Sequence, residues 1–477
     1  MIPKSDRQLA PARVCTNDPP HGRAKSAEHT SVRESRHTDS TQKLSEVKMK
    51  RTLMTFGLAT LLVVTFACER RGGETGTADS GGTIKVGIYG DLSGQTSSFG
   101  QSTKNGALMA IDEINAAGGI NGRKVEYVME DDQGQPQQAS TVVTKLINQD
   151  KVVAIIGEVA SSNSLAAAPK AQEAKVPMIS PSSTNPKVTQ VGDYIFRVCF
   201  TDDFQGSVAA KFAANTLHAR KAAILGDFNS DYSKGMTQYF VQEFKGSGGQ
   251  IVVQQSYTQT DADFKGQLTN IRAAAPDVIF VPGYYGQVGV IAKQAKELGI
   301  TAPLLGGDGW DSPKLFELGG AALDGNYMVN HYSTDDPSPA VQKFVSAYKA
   351  KYGAVPDAIA ALGYDAMNVL ADSIKRAGTT ESAKLRDAIA ATQGFTGVTG
   401  SITLNASRDA VKPAVVFELR DKKLVYKETI QPSGGTGAAP AASPVAGASP
   451  AAAASPANTN ATAPSNANTN TNKNATP

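Results

Sequence analysis

Cysteine and histidine are scarce, at three and five of 477 residues. No two cysteines stand at CxxC or zinc-finger spacing, which argues against a structural metal site. Charge of one sign is also lacking. The 47 basic and 44 acidic residues leave a net +3, so there is no basic footprint for nucleic acid. HExxH, GxSxG and GxxxxGK are absent, which removes the common signatures of zinc peptidases, α/β-hydrolases and P-loop NTPases. What is present is 40% hydrophobic residues over a length that allows two or three domains, enough to bury a sizeable core. The composition implies no cofactor and no metal.

The ends of the chain differ from its body. Met49 to Cys68, MKRTLMTFGLATLLVVTFAC, has a basic start, an apolar stretch through Phe66, then Ala-Cys. It is too short to span a membrane comfortably and has the layout of a secretory signal. Residues 49–67 are expected to be that signal. Cys68 is the expected lipidation site, as in bacterial lipoprotein signals, with ordinary cleavage near Ala67 as the alternative. Residues 1–48 are polar, without sustained hydrophobic period, and read as an extension ahead of a native start at Met49. Residues 68–82 form a Gly/Thr/Ser linker. Residues 431–477 are rich in Ala, Pro, Ser, Thr, Asn and Gly and are expected to be disordered, since they cannot bury enough apolar surface to offset the entropy of ordering. With Cys68 acylated and Cys15 removed, Cys199 has no disulfide partner.

The stretch Val152 to Pro186, VVAIIGEVASSNSLAAAPKAQEAKVPMISPSSTNP, organises the remainder. Two short apolar runs flank an Ala-rich segment of helix length, the pattern of a β-α-β unit. Each run ends in a hydroxyl-rich loop. In a parallel sheet both loops fall at the carboxyl ends of neighbouring strands, where open α/β folds hold ligands. Ser161, Ser162, Ser182, Ser183 and Thr184 would then share one small volume. Ser162 or Asn163 is placed to cap the helix, whose free N–H groups attract a carboxylate. Pro169 lies one to two turns into it, so the helix either starts late or kinks.

Strands and amphipathic helices alternate both before and after this stretch. IKVGIYGDLSG opens the fold, helical spacing runs through Ala107, Ala110, Ile111 and Ile114, and a second βα series follows Phe196-Arg197-Val198. The fold class is therefore α/β with parallel sheets covered on both faces, in two size-limited units. Two further motifs are set aside. Ser346-Ala-Tyr-Lys349 has SxxK spacing but sits within an Ala- and Lys-rich amphipathic helix, and Glu130-Asp131-Asp132 reads as a solvated strand end.

Several long motifs, in order, resemble the periplasmic Leu/Ile/Val-binding proteins, the substrate-binding subunits of branched-chain amino acid ABC transporters. They are GDLSGQTSSFG, NGALMAIDEINAAGGINGRKVE, GEVASSNSLAAAPKAQEAKVPMISPSSTNP, YIFRVCFTDDFQG and PGYYGQVGVIAKQAKELG ahead of LLGGDGW. The resemblance covers nearly all of Gly82 to Thr429. It implies a type I periplasmic-binding fold, two doubly wound α/β lobes joined by a three-segment hinge. Lobe 1 is expected to comprise 83–201 and 332–405, and lobe 2 to comprise 202–331 and 406–430.

By the same resemblance Ser161 and the Ser162 region meet the ligand carboxylate, Thr184 contacts the bound amino acid through its hydroxyl, and Ser182 contributes backbone. Asp308 takes the place of the acidic residue that pairs with the ammonium group, where the family often carries Glu. Tyr232 and Tyr284 wall the pocket, and Phe99 covers the ligand side chain. Trp310, two residues beyond Asp308, either narrows the pocket or packs beneath the loop. The implied function is capture of an amino acid, branched-chain first, for delivery to ABC permease subunits. The implied protein is not an enzyme; it is a monomer in the periplasm or at the cell surface, tethered by an N-terminal lipid. Receptors for amides, urea or aromatic acids and sensory modules share the fold, and a serine hydrolase or amidase is the rival of another class.

Overall fold

A computed structural model describes residues 82–432. The proposed extension, signal, lipidated Cys68 and nearly all of the linker and tail lie outside the described residues.

The first sheet is assembled from β1 (Ile84–Gly90), β2 (Val125–Asp131), β3 (Ala154–Ile156), β4 (Met178–Ser180) and β5 (Ile195–Arg197), in the order β2-β1-β3-β4-β5. All its pairings are parallel. The helices between the strands are α1 (Ser97–Ala116), α2 (Pro136–Asn148), α3 (Ser161–Glu173) and the single turn α4 (Lys187–Gln190). Alternation along β1 sends Ile84, Val86 and Ile88 to the face covered by Ala107, Ala110 and Ile111 of α1. Tyr89 joins the opposite face, packed under Val142, Val143 and Leu146 of α2 and Ala167, Ala168 and Ala171 of α3. Gly87 lets α2 settle close, because a Cβ there would stand 3.0 Å from Leu146.

The chain then builds the second sheet through α5 (Asp202–Lys211), β6 (Lys221–Asp227), α6 (Asp231–Gly246), β7 (Gln250–Tyr257), α7 (Lys265–Ala274), β8 (Val278–Phe280), α8 (Tyr285–Glu297), β9 (Leu304–Gly306), α9 (Pro313–Gly319) and β10 (Asn326–Asn330). A π-helical turn, Phe212–Thr216, extends α5, and a 3-10 turn, Asp308–Trp310, follows β9. Helices α10 (Pro339–Tyr352), α11 (Ala358–Ala377) and α12 (Ser382–Ala390) and the small hairpin β11 (Phe395–Gly397) and β12 (Gly400–Ile402) come next. Of these, α11 returns to the first sheet, where Leu362, Ala366, Val369 and Leu370 close the face shared with α1. Finally β13 (Ala414–Arg420) and β14 (Lys423–Ile430) rejoin the second sheet, whose order is β14-β13-β10-β9-β8-β6-β7. β13 runs antiparallel to β10, with Asn326 opposite Leu419. The chain thus passes between the sheets after β5, after β10 and before β13.

Two local expectations are corrected. The helix after β3 is N-capped by Ala160, without a side-chain cap, rather than by Ser162 or Asn163, and α3 runs from Ser161 through Pro169. The strand end at Asp132 is not solvated. Asp132 is fully buried and accepts hydrogen bonds from the Asn163 amide (3.3 Å) and the Gly134 N–H (3.0 Å). Burial, aided by the nearby Asp91 charge, raises its pKa to about 7. Among the described residues no group of three or more His, Cys, Asp or Glu is placed to hold a metal.

Candidate functional site

Strand order reverses in the first sheet between β1 and β3 and in the second between β6 and β8, and such a switch point leaves a crevice beyond the strand ends. A cavity lies where the two crevices face each other. Phe99, in the first turn of α1, and Val159, just after β3, form its wall on the first sheet together with Ser182 from the loop after β4. Tyr232, Tyr284, Asp308 and Gly309 face them from the loops and helix starts of the second sheet, and Ile359 closes the side from the first turn of α11.

The aromatic residues brace one another. Tyr232 and Tyr284 stack with centroids 5.3 Å apart, and Phe99 meets Tyr284 edge-on at 5.9 Å and Tyr285 at 4.9 Å. The Tyr232 hydroxyl accepts the Gly309 N–H at 3.1 Å, fixing the loop that carries Asp308. Burial raises the pKa of both Tyr232 and Tyr284, so the rings stay neutral.

Asp308 is buried yet only partly satisfied. Its N–H donates to Gln205 Oε1 at 2.8 Å. Its Oδ2 meets His331 Nε2 at 2.9 Å and accepts the Ser182 hydroxyl at 3.3 Å, while Oδ1 has no hydrogen-bond partner. A buried carboxylate oxygen without a donor is costly, and it suits a site that receives an ammonium group. On the opposite side α3 begins at Ser161, and the first N–H groups of a helix have no acceptor within it, which favours an anionic group. One end of the arrangement suits a cation, the other an anion, and apolar surface lies between.

Of the residues expected at the site, Phe99, Ser182, Tyr232, Tyr284 and Asp308 stand in the cavity wall. Ser161, Ser162 and Thr184 stand behind it. The Ser161 hydroxyl oxygen accepts the Asn185 N–H at 3.2 Å, tying the loops after β3 and β4 together. The Ser162 hydroxyl bridges to α6, donating to Asp231 Oδ2 (3.0 Å) and accepting the Asp231 N–H (2.9 Å). Thr184 is fully buried beside the Asp202 carboxyl, whose pKa burial raises well above the carboxylate range. Trp310 packs beneath the loop, with its indole N–H donating to the Val281 carbonyl at 3.0 Å. The Ser346 of the SxxK spacing is exposed on α10.

Sequence reasoning missed Val159, Gly309, Ile359 and His331. Val159 adjoins the hydroxyl run that drew attention, whereas nothing local marks Ile359, which reaches the cavity only because α11 folds back onto the first sheet.

Arg197 holds the first-sheet loops from behind. It is fully buried, its Nη2 donates to the Asn185 carbonyl at 2.7 Å, Nη1 binds the Ser183 carbonyl, and Nε pairs with Asp409 at 2.7 Å.

Residues 83–423 match the family model described as Periplasmic binding protein. The chain belongs to the periplasmic binding protein family. A protein from Pseudomonas aeruginosa named leucine-, isoleucine-, valine-, threonine-, and alanine-binding protein is 31% identical over 329 residues, 69% of this chain and 87% of that one. A solved leucine-binding protein from Thermotoga maritima is 39% identical with a TM-score of 0.71, covering 73% of this chain and 99% of that chain. A branched-chain amino acid transporter substrate-binding protein from Streptococcus pneumoniae, solved with isoleucine, is 36% identical with a TM-score of 0.70, covering 73% and 100%. The fold is that of a type I periplasmic binding protein, and the family's role is extracytoplasmic solute binding rather than catalysis. No helix among the described residues is long and apolar enough to cross a membrane.

Proposed function

We propose that this periplasmic binding protein captures an α-amino acid with a branched aliphatic side chain and delivers it to the permease of an ABC transporter. One observation carries the reading: a buried carboxylate, Asp308, keeps Oδ1 without a protein partner in a cavity walled by aromatic and aliphatic side chains. The ammonium group binds that oxygen. The carboxylate binds at the start of α3 and the loop after β4, through backbone N–H groups around Ser161 and Ser162 and with Ser182 and Thr184 beside them. Phe99, Tyr232 and Tyr284 enclose the side chain, with Val159 and Ile359 as the aliphatic floor.

Residues 83–201 with 332–405 act as one lobe and 202–331 with 406–430 as the other, closing about the crossing segments. The protein acts as a monomer held to the membrane by a lipid on Cys68, and it releases its ligand unchanged. A serine hydrolase would need an imidazole on its serine, and here His331 Nε2 is engaged with Asp308.

A thermal-shift screen tests the reading against branched-chain amino acids, amides, urea and aromatic acids, because a ligand of the folded state alone raises the melting point. Leucine, isoleucine or valine should give the largest shift. A shift confined to benzoate-like acids or to urea would refute it.

A further inference from the structure

Resting on the reading of Asp308 as the ammonium site, we propose that His331 is its positioning residue, holding Oδ2 so that Oδ1 is offered to the ligand, and that protonation of this imidazole expels the amine. His331 follows directly on β10, at the start of a segment joining the two sheets. Its backbone N–H donates to Asn330 Oδ1 at 2.8 Å, and its ring stacks on Phe200, from the segment after β5, at 3.8 Å and 23°. The imidazole is therefore clamped between two of the crossing segments with Nε2 at 2.9 Å from Asp308 Oδ2.

A carboxylate oxygen at that distance accepts, so the neutral ring carries its proton on Nε2. Nδ1 is left buried without a partner.

The charged and titratable groups facing the ring act in opposite directions. Burial lowers the pKa of His331 and the ammonium of Lys412, in the segment before β13, lowers it further, while Asp308 raises it. Lys412 is itself buried, bonded to the Thr399 hydroxyl and the Val198 carbonyl, with its pKa brought down to about 8. The neighbouring Cys199 thiol is pushed up to about 12 by burial and stays uncharged. Asp202, raised well above the carboxylate range, adds no full charge.

Near neutrality His331 is thus an uncharged donor to Asp308 Oδ2, and Oδ1 is left to the ligand. In acid a second proton enters at Nδ1, and the imidazolium then balances Asp308 in place of the ligand ammonium. The sign follows from linkage. The ligand cation lowers the His331 pKa still further, so affinity is level above the pKa of the free protein and falls below it, by at most about tenfold per pH unit for one proton.

Isothermal titration calorimetry with L-leucine at steps from pH 8 to pH 4, a range reaching well below the ordinary histidine pKa of about 6.5 because burial lowers that of His331, tests this on the wild type, His331→Gln, His331→Leu and Asp308→Asn. Wild-type affinity should be level above about pH 6.5 and fall at lower pH, by at most about tenfold per pH unit. His331→Gln, which keeps an N–H donor and cannot titrate, should bind within about threefold of wild type at pH 8 and lose the pH dependence. His331→Leu should bind at least tenfold more weakly at pH 8. Leucine affinity unchanged in His331→Leu, or a wild-type pH slope in His331→Gln, overturns the proposal. Asp308→Asn separates the two readings: if it loses affinity while His331→Leu does not, only the role of His331 falls, and if it loses nothing, the ammonium site itself is misplaced. Imidazole ¹⁵N spectra of the wild type need no variant to fold. They should show the Nε2–H tautomer at pH 8, and the Nδ1–H tautomer would overturn the assignment.

Discussion

Replacing Asp308 by alanine perturbs both ligand and protein, and the structure separates the two effects. A hydrogen bond to a charged group contributes about 1.5–3 kcal/mol, and 1.4 kcal/mol is a tenfold change in affinity. Loss of Oδ1 should therefore weaken leucine binding roughly ten- to 150-fold. The same change strips the acceptor from His331 Nε2 and from the Ser182 hydroxyl, both buried. The serine hydroxyl can rotate to another acceptor. The clamped imidazole cannot, so the free protein should lose about 1–3 kcal/mol of stability. Asp308→Asn keeps an oxygen for His331 and should show the affinity loss with little of the stability loss.

Calorimetric titration with L-leucine and with 4-methylpentanoate, which lacks the amine, completes the test. The variants should differ from wild type for leucine and agree with it for the deaminated acid. An Asp308→Ala protein that binds leucine within threefold of wild type, or loses both ligands equally, refutes the assignment of Oδ1 to the ammonium group.

Three further outcomes follow from geometry away from Asp308. Ser162→Ala removes both hydrogen bonds by which it bridges to Asp231 of α6 and should raise the ligand off-rate roughly two- to tenfold in stopped-flow displacement, at about 0.5–1.5 kcal/mol for a net hydrogen bond; a change only in on-rate would contradict a role for that bridge in holding the ligand. Arg197→Met leaves Asp409 without its buried cation and should lower stability to urea by about 3–5 kcal/mol, with weaker binding because the Ser183 and Asn185 carbonyls lose their anchor. Asp132 has a folded pKa of about 7, above the unfolded value near 3.9. The native state therefore holds an extra proton between about pH 4 and 7, and stability falls as pH rises through that window. Asp132→Asn should raise the melting temperature at pH 8 and leave it nearly unchanged at pH 4.

Much of the fold was legible because local and global signals agree. Val86 and Ile88 on β1, the i, i+3, i+4 repeat of α1 and the two apolar runs ending in hydroxyl loops read as a parallel α/β sheet, and β3 and β4 do pair, Ile156 beside Ile179. The exceptions share a cause. Asp132 looked exposed because three acidic residues in a row are usually solvated, but Asn163 reaches it from α3, far along the chain, and the Gly134 N–H caps it from the turn that follows. His331 was merely one of two histidines in the fold. Its role exists only because β9 and β10 are neighbours and bring the Asp308 loop against the following segment.

The sequence alone determined the class of the fold and the family, because periodicity, turn residues and family motifs are local properties of the chain. Tertiary structure decided which of the hydroxyl residues face the cavity and which serve as struts. It turned Ser162 toward Asp231, set Ile359 and Val159 in the wall, and left one oxygen of Asp308 unpaired by occupying the other. These are outcomes of two sheets facing each other across the ends of their strands, where a shift of one side chain by a hydrogen-bond length changes its partner, and no pattern along the chain encodes that distance.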